Sequence, residues 1–426
     1  MREDFLHHVW KYQLFDFQDL VSVQGQSIRL KSSGWHNYDA GPDFQNARVE
    51  IDGLQWVGNV EIHINSNDWY KHGHHNDPAY HNVILHVVYD YDGENEQDDF
   101  LKNIPVLCLR DRINDDLYQR YLNFLNTDFE IPCHSMIHKV DRIHLEMWME
   151  RLFIEKLEEK TEMIQASLDR NLNSWEDSFY EFLAKSFGFK INGFAFEMLA
   201  KSLPYKVLQK HKDSLFQVEA LLFGQAGMLD GDFEDDYPQK LQREYAFLQK
   251  KYQLVPFEKH LWNWLRLRPG NFPTIRIAQF AWLLTYSNSL FSCSIDTDTI
   301  DGLRDLFCVQ TSPYWDNHYQ FDKVSSFRKK LLGSSSIDLL IINTVIPFQF
   351  LYSKIHDDRD LMNKTFFLAD SIKGESNSTT IAFKEIGVVS ATAFRSQALI
   401  LLKKKYCDKK LCLQCAIGAK LLKGET

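Results

Sequence analysis

The sequence predicts an α+β chain in which a compact N-terminal α/β domain precedes a large, irregular, all-helical domain. Three observations carry this expectation. Within the first 130 residues the apolar pattern passes from helical spacing to short β-like runs, in the order helix, three strands, short helix, then one or two strands. From about Val140 onward the spacing is helical almost throughout. No segment recurs at a fixed period, so a regular solenoid is not expected. The boundaries read as 1–130 for the α/β domain, 131–405 for the helical domain and 406–426 for a cysteine-bearing tail.

The elements follow in order. Phe5, Leu6, Val9, Trp10 and Leu14 form one apolar stripe, which predicts a helix over residues 3–15. Strands are expected at Ser27–Lys31, Ala47–Ile51, Leu54–Ile64 and Val83–Tyr89, with another in KNIPVLCLR. Asp52-Gly53 joins the second and third as a hairpin turn, because both residues tolerate positive φ. Asp77-Pro78 opens a short helix, with Asp as N-cap and Pro at the first position. The acidic stretch at residues 90–99 reads as a solvated loop. Helices then fit His144–Arg170, Ser178–Phe187, Phe194–Ser202, Gln217–Phe223, Lys240–Tyr252, Thr274–Ser287, Ile337–Tyr352 and Ser390–Lys404. Breaks fall at Pro204 and at residues 224–232, 268–273 and 333–336.

Composition bounds the class. The chain has 426 residues, 44% of them hydrophobic, and its 19 Gly and 11 Pro exclude a collagen-like or low-complexity polymer. No uninterrupted apolar run approaches the ~18 residues of a membrane span. The N-terminus mixes charge into its apolar positions, unlike a signal peptide. A cytoplasmic protein is expected. The charge is uneven: residues 1–100 hold 17 acids against six Lys/Arg, whereas residues 381–426 hold nine Lys/Arg against three acids. Nine of the 16 histidines fall within the first 86 residues.

The densest polar chemistry lies in residues 40–90. On a strand, Glu61 and His63 project from one face while Val60, Ile62 and Ile64 enter the core. Asp43 heads the partner strand. Two carboxylates brought together at strand ends can hold Mg²⁺ or Mn²⁺, and a neighbouring His can orient or deprotonate a water. Register decides whether they meet. A two-residue loop at Asp52-Gly53 pairs Val49 with Trp56 but sets Phe44 opposite Glu61, unless a bulge or the Gly41-Pro42 turn redirects Asp43. A three-residue loop places Asp43 opposite Glu61 directly. Zinc is the rival chemistry, through His72, His74 and His75 with His81 and His86 nearby. The plainer reading makes the first three a polar loop or site rim, and His86 a histidine of the sheet face.

Pro42-Asp43 followed by Glu61-Ile62-His63 resembles the PD-(D/E)xK nuclease superfamily, whose motif lies within an αβββαβ restriction-endonuclease-like core. The resemblance implies Asp43 and Glu61 as metal ligands and His63 in place of the usual Lys. It also implies Glu3 as the acid of the first helix, and Asn76 with Tyr80 in place of a Gln-x3-Tyr pair. Asp68, His72, His74 and His86 join these as supporting candidates.

In the tail, Cys407-x4-Cys412-x2-Cys415 suits Zn²⁺ or an iron–sulfur cluster, with a fourth ligand sought at Cys293, Cys308 or a His. Three reduced thiols at a helix turn is the plainer alternative. Arg266, Arg268 and Arg276 around RPGNFP read as a loop lock. GPDF, VEIHINSNDW, GQAGML, RPGNFPTIR and SQALILLKKKYC…CLQC together resemble a bacterial family of unknown function, domain of unknown function 2851, common in Bacteroidetes. That resemblance implies no activity. Three functions are carried forward: a metal-dependent nuclease whose basic tail guides nucleic acid, a non-catalytic nucleic-acid or protein-binding scaffold on a decayed nuclease-like core, and a zinc-dependent hydrolase.

Overall fold

The computed structural model describes residues 1–93, 104–257 and 259–424. The chain divides into two compact units: Met1–Trp148 with Ile381–Val388 and Leu401–Thr426, and Met149–Thr380 with Val389–Ile400. The cysteine-bearing tail is therefore part of the first unit, not a separate segment following the helical region.

The first unit is built on a sheet. Helix α1 (Glu3–Lys11) buries Phe5, Leu6, Val9 and Trp10. It ends before the expected residue 15 because Gln13 turns left-handed, at φ +53°, and the Leu14 N–H bonds back to the Val9 carbonyl. Strands β1 (Leu20–Val21), β2 (Ser27–Ser32), β3 (Trp35–His36), β4 (Phe44–Ile51), β5 (Leu54–Asn65), β6 (Val83–Asp90) and β7 (Val106–Cys108) form one sheet in the order β1-β2-β4-β5-β6-β7, with β3 also on β4. The β2/β4/β5 pairs are antiparallel and the β5/β6/β7 pairs parallel. A parallel pair needs a crossover, and here it consists of the short helix α2 (Asp68–Lys71) and two single 3₁₀ turns. The Asp77 side chain caps the second turn by accepting from the Ala79 N–H at 2.9 Å, with Pro78 behind it. Trp69, Tyr80, Val83 and Ile104 bury this crossover. Most of the expected acidic loop at 90–99 lies outside the described residues. Helix α3 (Asp115–Asn126), capped by Asn114, buries Leu117, Tyr121 and Phe124 on one face and was not among the expected helices.

The second unit is helical. The boundary falls inside the 29-residue helix α4 (Arg142–Arg170). Helices Trp175–Phe187, Phe189–Ser202, Leu215–Gln225, Asp236–Tyr252 and Pro273–Tyr286 pack around Phe179, Phe187, Phe196, Phe223 and Phe280. Several start on capping side chains, among them Ser174, Ser214 and Thr299. Arg276 is buried and bonds Asn271 at 2.6 Å and Ser336 at 3.3 Å, which makes it the expected lock of the 268–273 loop. The stretch Ser334–Ile355 is, among the described residues, the one helix long and apolar enough to cross a membrane, and 67% of its apolar window is buried as core.

One buried acid sets a testable pH dependence. Glu219 is fully buried and accepts from Tyr237 and, at 3.0 Å, from Ser312. Burial pushes its pKa up to about 7, against the partial opposition of those hydroxyls. A raised carboxyl stabilises the fold fully below its ordinary 4.5 and ceases to do so as pH rises through 7. Glu219→Gln is therefore expected to stabilise the second unit above pH 8, by up to about 3 kcal/mol, and to change little near pH 5. A variant whose thermal midpoint follows wild type from pH 5 to 9 would refute this.

Candidate metal and acid–base site

The two-residue turn is present, with Asp52 at φ +48° and Gly53 at φ +81°, and Val49 pairs with Trp56. Continued unchanged, that register would leave Asp43 on the wrong side. A bulge between Phe44 and Ala47, with Asn46 at φ +56°, shifts the strand so that Phe44 pairs with Val60. Asp43 thereby comes level with Glu61. The Asp43 N–H donates to Glu61 Oε2 at 3.1 Å, and the Ile62 N–H donates to Asp43 Oδ2 at 2.9 Å. Gly34, at φ +83°, lies so close beneath the bulge that a Cβ would stand 2.6 Å from the Gln45 carbonyl oxygen.

Histidines surround these acids. In the parallel β5/β6 pair, Glu61 lies beside His86. His63 is 1% exposed, and its Nδ1 meets His86 Nε2 at 2.9 Å while its Nε2 meets His72 Nδ1 at 3.1 Å. His74 Nε2 lies 3.2 Å from Glu61 Oε1, and His63 Nε2 lies 3.6 Å from the same oxygen. Tyr80 stacks on His74 at 3.9 Å. From α1, His7 Nε2 approaches Asp43 Oδ2 at 3.3 Å, and Glu3, one turn earlier, feels the charges of His7, Asp43 and His72.

Burial dominates the electrostatics. It pushes Glu61 well above the ordinary carboxylate range, with the Asp43 charge adding to the effect, and it raises Glu3. Burial and the surrounding imidazoles push His63 down to about 2, and burial pushes His86 down to about 3. His74 is also lowered by burial and by His72. His7 behaves oppositely: burial lowers it, but the Asp43 carboxylate beside it more than compensates, and its pKa rises. His63 is thus a neutral ring engaged at both nitrogens. In that state it suits a ligand or relay and not a charged stand-in for the usual Lys.

The histidine trio could hold a cation. His63, His72 and His74 each offer a nitrogen, all within 4.8 Å of one another. His7 Nε2 and His74 Nε2 are buried without a well-formed hydrogen bond, although each stands 3.2–3.3 Å from a carboxylate oxygen. Two adjacent ligands on one ion at ~2.1 Å bond lengths are separated by about 3 Å, a spacing that these pairs match and that ion pairs and hydrogen bonds share.

Not every expected residue joins. The Asp68 carboxylate is taken up by the Asn65 N–H at 3.0 Å and Lys71 at 2.6 Å, which anchors α2. Asn76 is exposed and bonds His75, so of the Asn76/Tyr80 pair only Tyr80 reaches the cluster. His86 is the sheet-face histidine anticipated. His7 was missed, although its position four residues after Glu3 puts both on one helix face. In the tail, Cys407, Cys412 and Cys415 are buried in the first unit, whereas Cys293 and Cys308 belong to the second.

A family model described as a protein of unknown function, DUF2851, matches residues 3–378. The chain belongs to this family. No curated protein and no solved structure matches the chain. The DUF2851 span contains every residue of the acid and imidazole cluster and ends before the three tail cysteines. The family description carries no activity, so the chemistry rests on the site.

Proposed function

We propose that the first unit is a divalent-metal-dependent hydrolase of phosphodiester bonds, with a nuclease-like core of the PD-(D/E)xK kind. The observation that carries this is the bulge that aligns Asp43 with Glu61 beside Glu3 on the first helix. Asp43 and Glu61 would draw together to hold the ion, with His74, already 3.2 Å from Glu61, as an imidazole ligand. When bound, the cation supplies Lewis acidity and an acidified water. Mixed oxygen and imidazole donors favour Mn²⁺ over Mg²⁺. His7, whose proton affinity Asp43 raises, is suited to carry a proton to or from a substrate oxygen. The basic tail contributes less to nucleic-acid binding than its charge suggests. Lys403 pairs with Glu130 at 3.6 Å and with Asp408, and Lys410 bonds backbone carbonyls.

The test is hydrolysis of single- and double-stranded nucleic acid with Mn²⁺, comparing wild type with Glu61→Gln. Loss of wild-type activity in the variant is expected. Equal activity in the two, or none in either, would refute the proposal and favour a scaffold, whose mark is the double engagement of His63. A second reading, a zinc-dependent hydrolase, is favoured by the closeness of His63, His72 and His74. It requires stoichiometric zinc that is lost in His72→Ala and His74→Ala.

A further inference from the structure

The C-terminal segment folds back onto the first unit, and this supplies the thiol that the tail motif lacks. Lys410 Nζ donates to the Leu125 carbonyl and, at 3.1 Å, to that of Thr127. Lys403 pairs with Glu130. The 3₁₀ turn Ile137–Lys139 packs on the final helix, Ala416–Lys423. Between these attachments lies Cys133, in a turn closed by the Met136 and Ile137 N–H groups on its carbonyl. Cys412 and Cys415 are electrostatic neighbours of Cys133, and Cys133, Cys412 and Cys415 are electrostatic neighbours of Cys407. All four are free thiols, and the three in the tail are at most 9% exposed.

We propose that Cys133, Cys407, Cys412 and Cys415 form a four-thiolate site for an iron–sulfur cluster. The surroundings are built for thiolates. N–H groups of Ile417 and Gly418, at the start of the final helix, lie against the Cys415 sulfur together with the Trp148 indole. Lys403 favours the thiolate of Cys407, and Lys410 that of Cys412. The six residues Leu402–Cys407 form a π-helical turn that ends on the first tail ligand. Gly418 lets the last helix approach the Cys412 carbonyl so closely that a Cβ would stand 2.2 Å from its oxygen.

Spacing separates a cluster from zinc. A tetrahedral zinc ion at 2.3 Å bond lengths draws its sulfurs to about 3.8 Å of one another. Among the described residues, the one group of three or more candidate ligands mutually within 4.8 Å is the histidine trio, so no three of these sulfurs are that close. A four-iron cluster, with one thiolate on each iron, spreads them to about 6 Å. Its ligands come from two segments with nearly all of the second unit between them in sequence, so the cluster would close a very long loop.

The experiment uses the full chain, purified without oxygen and reconstituted with ferric iron, sulfide and a dithiol reductant that supplies the two electrons per cluster. Expected are broad absorbance near ~400 nm with about four irons and four sulfides per chain. Cys133→Ser is expected to lose at least half of that iron, while Cys293→Ser and Cys308→Ser retain it. If Cys133→Ser does not fold, alkylation of the wild type followed by mass spectrometry answers instead. Cys133 and the three tail cysteines should be protected until the cluster is stripped. One zinc per chain without sulfide, no metal after reconstitution, or iron unchanged in Cys133→Ser would each overturn the proposal. So would Cys133 alkylation as fast as that of exposed Cys308.

Discussion

Saturating Mn²⁺ is expected to raise the thermal midpoint of the first unit by about 5–10 °C at pH 8, by much less at pH 5.5, and not at all in Glu61→Gln. The size follows from mass action, since a ligand at a hundred times its Kd adds about 2.7 kcal/mol, and a unit of this size gains about 2–4 °C for each of those. The pH dependence follows from Glu61. Its folded pKa lies above the ordinary 4.5, so its contribution is complete below 4.5 and declines as pH rises through the folded value. His63 and His86 act in the opposite sense. Their pKa values fall from 6.5 to about 2 and about 3, so their contribution is complete above 6.5 and is lost as pH falls. Between 4.5 and 6.5 two histidines outweigh one carboxyl, and above 6.5 only the carboxyl acts. The metal-free unit is therefore most stable near pH ~6.5 and weakens toward alkali. A cation needs Glu61 ionised, so binding displaces its proton and becomes easier where the metal-free protein weakens. Differential scanning at three pH values, with and without Mn²⁺, measures this. A metal shift of equal size at pH 5.5 and 8, or one retained in Glu61→Gln, would remove Glu61 from the ligand set.

Much of the first unit was legible because its signals are local. The Asp52-Gly53 turn, the Asp77-Pro78 cap and the aliphatic runs of β5 and β6 each declare themselves within a few residues. Helix α1 came out too long because Gln13, an ordinary residue for a helix, adopts a left-handed conformation to end it. At the site, sequence named Asp43 and Glu61 but left their meeting open. The deciding event is a bulge at Asn46, which no turn motif announces. His63 was read by its position in a motif, whereas its chemistry is set by three other histidines that only the folded sheet and crossover bring against it. Cys133 was invisible for a related reason: its partners lie at the far end of the chain, and spacing rules operate within one segment.

The bulge itself yields the other large effect. Gly34→Ala is expected to destabilise the first unit by about 3 kcal/mol or more, from a forced positive φ together with a clash on backbone atoms, and to abolish the Mn²⁺ shift. At Gly34 the added Cβ would stand 2.6 Å from the Gln45 carbonyl oxygen and 3.0 Å from the Ala47 nitrogen, neither of which can rotate away. Those two residues flank Asn46, so relief must come from moving the bulge. The bulge is what shifts the strand register by the one residue that sets Asp43 opposite Glu61, and a one-residue slip reverses the face of every side chain beyond it. Gly53→Ala is the matched comparison. Its φ is nearly the same, +81° against +83°, but nothing lies within 4 Å of the new Cβ, so it should cost about 1–2 kcal/mol of backbone strain alone. It should also leave the Mn²⁺ shift intact. Chemical denaturation of both variants separates the clash from the strain, and the metal shift reports whether Asp43 has moved. If Gly34→Ala proves no worse than Gly53→Ala and still responds to Mn²⁺, then the bulge does not position the acid pair.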